Sequence, residues 1–156
     1  MKAVLVFIDG TICDTRPREA LLSTGDFYLR DRMLEDLAVP GSVACLNELS
    51  QNYKIVYLGA RPNFTRSYTE EWLKKMGFPK GPLYLARTQR GRLSLVKAMA
   101  AKFDFIAGIG DRWDDNELHA EIGCFSIILQ EYEGRWETVC ERLERLQRKW
   151  KQIEGA

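Results

Sequence analysis

Three aspartates fall within five residues in Gly110-Asp111-Arg112-Trp113-Asp114-Asp115-Asn116, directly after an apolar run. Carboxylates packed this closely oppose one another's ionisation unless something positive neutralises them. A hard cation such as Mg²⁺ suits the task, because it takes oxygen ligands and usually only one or two carboxylates. The spacing does not suit a calcium loop of the EF-hand type, which needs acids at alternate positions followed by glycine. A structural role competes for two of the three. Asp114 and Glu117 have capping-box spacing, and Asp115 would then favour the positive end of the same helix. Asp111 sits in the turn itself and has no such alternative.

Two other turns carry candidate ligands, Asp9-Gly10-Thr11-Ile12-Cys13-Asp14-Thr15 and Gly59-Ala60-Arg61-Pro62. Backbone N–H groups around Gly10-Thr11 and Gly59-Ala60 could receive a phosphate without catalytic side chains. Arg61 and Arg112 either bind phosphate or carboxylate in bidentate fashion or pair with the Asp111–Asp115 cluster. Trp113 lines a pocket mouth or covers a helix start. His119 reads as a surface or core histidine, not a catalyst.

The elements that must position these turns are legible as five apolar runs. They are Ala3–Ile8, Lys54–Gly59, Pro82–Ala86, Asp104–Gly110 and Cys124–Leu129, rich in Val, Ile, Phe and Tyr. Runs apolar at successive positions suit parallel strands covered on both faces. Helical patterns separate them: Val43, Leu46 and Leu49; then Phe64, Tyr68, Trp72 and Met76; then Leu93, Val96, Met99 and Ala100. The alternation predicts an α/β chain with a doubly wound, mainly parallel five-stranded Rossmann-like sheet. Ligands of such sheets bind beyond the carboxyl ends of the strands, where strand order reverses, and the three turns lie there. Pro17 suits a first helical position, with Thr15 or Arg16 near the cap. Pro40-Gly41 and Gly77-Phe78-Pro79 break the chain around the helices. Val139, Leu143, Leu146, Trp150 and Ile153 form the apolar stripe of a C-terminal amphipathic helix, expected to dock on the sheet.

Length points to one domain: 156 residues, with an α/β core over 1–134 and the helix over 135–156. No length remains for a large cap, so an open site is expected. Lys and Arg number 23 against 22 acids, a balance that argues against a dedicated nucleic-acid binder. Cys13, Cys45, Cys124 and Cys140 form no paired spacing, which predicts reduced, mostly buried thiols in a cytoplasmic protein. No run is long enough for a membrane span.

The segments Val4–Ile12, Ile55–Pro62 and Gly108–Arg112 with Asp115 together resemble the haloacid dehalogenase (HAD) superfamily, in the right order and over nearly the whole chain. The resemblance implies Mg²⁺-dependent phosphatase chemistry through an aspartyl-phosphate. It also implies metal ligation by Asp111 and Asp115, with Asp9 as acid/base and further metal ligand. A Lys that neutralises nucleophile and phosphate corresponds by distance to Arg92, or otherwise to Lys97. Two positions depart from the pattern. The nucleophilic Asp is replaced by Phe7, and the phosphate-holding Thr or Ser by Gly59. Phenylalanine has no lone pair to attack phosphorus, and loss of a nucleophile typically costs roughly 10⁴ or more in rate. The expectation is therefore a HAD-fold protein impaired in catalysis that binds a phosphorylated ligand or a protein partner, with Mg²⁺ binding weakened. The alternative is an active phosphohydrolase whose nucleophile is Asp9 or Asp14. In this superfamily an uncapped site leaves room for a neighbouring subunit, so an oligomer is compatible with either.

Overall fold

A computed structural model describes residues 2–155, so Met1 and Ala156, the ends of the expected single domain, lie outside the described residues. Five parallel strands form the main sheet: β1 (Lys2–Phe7), β4 (Lys54–Gly59), β5 (Leu83–Leu85), β6 (Asp104–Gly110) and β7 (Phe125–Ile128). Their order is β5-β4-β1-β6-β7. β1 pairs with β4 on one side and β6 on the other. The chain therefore winds outward through β4 and β5, then returns to the far side of β1, which makes β1 the switch point.

Side chains of β1 alternate between two layers, as a strand requires. Val4 and Val6, with Ile8 just beyond the strand, enter one apolar cluster with Leu46, Trp72, Val139 and Leu143. Those four come from α2 (Ser42–Leu49), α3 (Arg66–Met76) and α6 (Trp136–Glu154). Ala3, Leu5 and Phe7 enter the other with Val96, Met99 and Leu118, from α4 (Gln89–Ala100) and α5 (Trp113–Glu121). α3 stops at Gly77, whose φ of +88° is the left-handed conformation that a helix end adopts at least cost with glycine. Phe64, expected on the face of this helix, precedes its start in a 3₁₀ turn and is exposed.

The C-terminal stripe packs over most of its length. Trp136, Val139 and Leu143 are buried, and Leu146 and Trp150 rest on the same cluster. Ile153 is exposed and takes no part.

Between β1 and α2 the chain builds a small annex. β2 (Cys13–Asp14) pairs antiparallel with β3 (Leu37–Ala38). Two 3₁₀ turns, Arg16–Leu21 and Asp26–Tyr28, and the short α1 (Arg30–Met33) lie between them. Arg18 and Asp36, 2% and 1% exposed, form a buried ion pair at its centre. No helix among the described residues is long and apolar enough to cross a membrane.

Candidate functional site

The ends of β1, β4 and β6 open into a cleft of about 220 Å³. Phe7, Asp9 and Ala60 form its floor, Arg92 of α4 and Arg112, Asp114 and Asp115 one flank. Thr15, Phe27 and Tyr28 of the annex and Glu131-Tyr132 after β7 form the other. No large cap covers the cleft, and the annex walls one side of it.

Asp9 is held by Arg61. The guanidinium donates from Nε at 3.2 Å to each carboxylate oxygen and from Nη2 at 2.6 Å to Oδ1. Arg61 is 1% exposed, and it also donates to the Thr69 hydroxyl at 3.0 Å. A buried arginine anchored at both ends fixes the Asp9 carboxylate as its counter-ion. Of the two roles open to Arg61 in the sequence, the structure gives it pairing with a carboxylate, but Asp9's and not the Asp111–Asp115 cluster's. The second carboxylate offered as a nucleophile, Asp14, lies outside the cleft and accepts from the Arg16 backbone N–H and guanidinium. Arg16 accordingly holds its carboxyl below the ordinary range.

The turn after β1 does not offer its N–H groups to a ligand. Gly10 N–H donates to the Cys13 carbonyl at 2.9 Å, and those of Thr11, Ile12 and Cys13 all donate to the Ile8 carbonyl. The phosphate-binding expectation for Gly10 and Thr11 is corrected on this ground: the turn closes on itself. Gly10 serves a different purpose. With φ +88°, it lets the Asp111 carboxylate come so close that an added Cβ would lie 2.3 Å from Oδ2. Thr11 donates its hydroxyl to Asp111 Oδ1 at 2.8 Å.

Asp111 Oδ2 is buried without a partner. Burial pushes this carboxyl up to about 7, the Thr11 hydrogen bond opposes the rise, and the charges of Asp115 and Glu131 add to it. Asp115 caps α5. Its Oδ2 accepts from the N–H groups of Asp111 at 3.0 Å and Arg112 at 3.1 Å. The helix starts at Trp113 with Arg112 as cap, two residues earlier than a box from Asp114 to Glu117 would place it.

These occupations bear on the fit to Mg²⁺. Asp9 already has a cation, and Asp115 spends an oxygen on the helix start. Among the described residues no three His, Cys, Asp or Glu side chains form a group able to hold a metal ion. These engagements weaken Asp9 and Asp115 as Mg²⁺ ligands, while Asp111 Oδ2 is buried without a partner.

Arg92 packs above Phe7, its guanidinium carbon 6.0 Å from the ring centroid. A cation over an aromatic face is attracted by the ring quadrupole, so the two residues suit one another. Arg92 also donates to the carbonyls of Ala86 and Arg87, each at 3.0 Å, while its Nε is buried and unpartnered. Lys97 points elsewhere, to Glu121 at 3.4 Å on the surface. Gly59 faces the packed side of the sheet, where an added Cβ would meet Leu85 at 3.0 Å and Ile8 at 3.3 Å. Ala60 is the residue of that turn that reaches the cleft. Trp113 stands 74% exposed and lines nothing there.

Several contributors carry no signal in the sequence. Trp136 donates its indole N–H to the Thr11 carbonyl at 3.1 Å, and the Tyr132 N–H donates to the Gly10 carbonyl at 2.8 Å. Tyr132 takes φ +63°, uncommon for a residue with a side chain. Its hydroxyl shares a hydrogen bond with Thr15 at 3.2 Å, tying the annex to the segment after β7.

His119 is buried behind β6 and shares a 2.7 Å hydrogen bond with Ser126. Burial pushes its imidazole down to about 4. An unfolded histidine titrates near 6.5, so the unfolded chain takes up the proton first as pH falls. Stability carried by neutral His119 is thus present above about 6.5 and is lost as pH drops toward about 4, by about 3 kcal/mol. As His119 is the only histidine, proton NMR of its ring reads the effect directly: the resonance is expected to stay in its neutral position at pH 6. A midpoint near 6.5 would contradict this environment.

Comparison with known proteins gives a consistent picture. A family model described as the PITM 1-3, LNS2 domain matches residues 4–114, a span holding Phe7, Asp9, Gly59, Arg61, Arg92 and Asp111. Among solved structures, a chain of the Pnkp1/Rnl/Hen1 complex superposes with a TM-score of 0.70 at 21% identity, over 83% of this chain. This chain spans 46% of that one, less than half its length. The class C acid phosphatase from Bacillus anthracis gives 0.66 at 22% identity, covering 87% of this chain and 69% of the other. The haloacid dehalogenase-like hydrolase SP0104 from Streptococcus pneumoniae gives 0.61 at 14%, covering 86% and 88%. At these identities the likeness establishes the HAD-like fold. A search of curated protein sequences finds no match. With well over half of its length matched by one family model and the sheet order to accompany it, the chain belongs to the PITM 1-3 LNS2 domain family.

Proposed function

We propose that this chain is a binding module on a phosphatase-type fold, and that its cleft receives a phosphorylated ligand without hydrolysing it. The observation that carries this reading is Phe7, which occupies the end of β1, lines the cleft and packs under Arg92. An aromatic ring cannot attack phosphorus, and neither carboxylate offered as a substitute is free of an arginine partner. Arg92 and Arg112 supply positive charge to a cleft that Asp9, Asp114, Asp115 and Glu131 also line, and Phe7, Phe27 and Tyr28 supply apolar surface beside it. That combination suits an anionic head carried on an apolar or aromatic body. Mg²⁺ has no part in this reading.

The test is a calorimetric titration with phenyl phosphate in the absence of divalent metal. Saturable binding is expected, and Arg92→Ala is expected to weaken it by about tenfold or more, as loss of a charged hydrogen bond does. Binding that is absent, or that Arg92→Ala leaves unchanged, overturns the assignment.

A further inference from the structure

Cys45 lies on α2 and Cys140 on α6, 95 residues apart in sequence, yet their sulfurs stand 2.7 Å from each other. All four cysteines are free. A disulfide bond is about 2.0 Å long, so closing this pair asks for less than an ångström of further approach by the two sulfurs. The other thiols are placed differently. Cys13 is wholly buried and donates to Asp36 at 3.3 Å. Cys124 lies just before β7. Two thiols at this separation across a helix–helix contact are a built crosslinking site.

We propose that Cys45 and Cys140 are a disulfide-forming pair that locks α6 onto α2. The oxidant is a low-molecular-weight disulfide. Cys140, the less buried of the two, gives its proton to solvent and attacks one sulfur of that reagent. A mixed disulfide forms and one small thiolate leaves. Cys45 then loses its proton and attacks the Cys140 sulfur, forming the intramolecular bond and expelling the second small thiolate. The balance is two protein thiols and one small disulfide giving one protein disulfide and two small thiols. Burial raises both thiols above their ordinary values, so the exchange is slow at neutral pH and faster in mild alkali.

The consequence reaches the cleft through the same helix. The first turn of α6 carries Trp136, whose indole N–H holds the Thr11 carbonyl, and Thr11 in turn holds Asp111. A crosslink one turn further along fixes α6 where it supports the turn after β1. This site is independent of the ligand reading above.

The test is incubation of the full chain with oxidised glutathione at about pH 8, followed by thiol counting and peptide mapping under non-reducing conditions. Expected are the loss of two of the four thiols and a linked peptide joining Cys45 to Cys140. A thermal midpoint raised by about 5–15 °C is also expected, reversed by reductant. Cys140→Ser should abolish the linked peptide and Cys124→Ser should leave it intact. A stable glutathione adduct at Cys140, a linkage to Cys13 or Cys124, or four thiols retained would each overturn the proposal. The mapping on the unsubstituted chain decides the matter even where a variant folds poorly.

Discussion

Replacing Asp36 by alanine is expected to destabilise the chain by about 3–5 kcal/mol, the cost of leaving a buried charge uncompensated. Asp36 receives Arg18 in bidentate fashion, Nε to Oδ1 at 2.8 Å and Nη2 to Oδ2 at 2.7 Å, and also takes the Cys13 thiol. The same guanidinium lies 4.3 Å from the Phe27 ring centroid and donates to the Phe27 carbonyl. Removing Asp36 therefore strands Arg18 in the centre of the annex and loosens Phe27, one wall of the cleft. Replacing both partners, Arg18→Met with Asp36→Leu, removes the charge together with its counter-charge, and should cost much less than the single change. Urea unfolding of the three proteins measures the effect. A loss under about 1 kcal/mol for Asp36→Ala would mean that Arg18 finds water when its partner is gone.

The second large effect belongs to Phe7→Asp. Phe7 is 7% exposed and packs with Leu5, Val56, Leu58 and Val96. Loss of that packing is expected to cost about 3–5 kcal/mol, the range for removing a core phenylalanine. Arg92 stands within reach of a new carboxylate and should recover part of it. Restoring the acid is not expected to restore hydrolysis. Position 59 still lacks a hydroxyl, the N–H groups of the β1 turn remain bonded to Ile8 and Cys13, and Asp9 remains tied to Arg61. A folded variant that gained Mg²⁺-dependent turnover would show that one side chain alone separates this cleft from an active one.

The parts of the fold legible in the sequence are those where burial leaves a continuous apolar signal. Lys54–Gly59 and Asp104–Gly110 appear as strands with the limits their runs suggest, because central parallel strands are covered on both faces. The stripe of α6 is legible as far as Trp150 for the same reason. The annex is not, since its centre is Arg18 with Asp36, and charged residues at such positions read as solvent-facing. The candidate site divides along the same line. Phe7 and Gly59 stand out in the sequence only through the HAD resemblance, and the structure adds that Phe7 lines the cleft while Gly59 faces the packed side of the sheet. The pairing of Asp9 with Arg61 spans 52 residues and depends on how two strand ends meet, which no local spacing encodes. Nor does the turn sequence reveal that its N–H groups bond within the turn, and a DGT segment promises a phosphate cradle that the backbone has already closed. Cys45 and Cys140 meet only because α6 folds back over α2.

The proposed function is binding in a phosphatase-type cleft without hydrolysis. Release of the aryl alcohol from an aryl phosphate, followed with the unsubstituted chain and Mg²⁺ present, tests it most directly. The rate is predicted to match buffer alone, whether or not a chelator is added. Turnover in the ordinary enzymatic range, about 1 per second or faster, and abolished by the chelator, would contradict it.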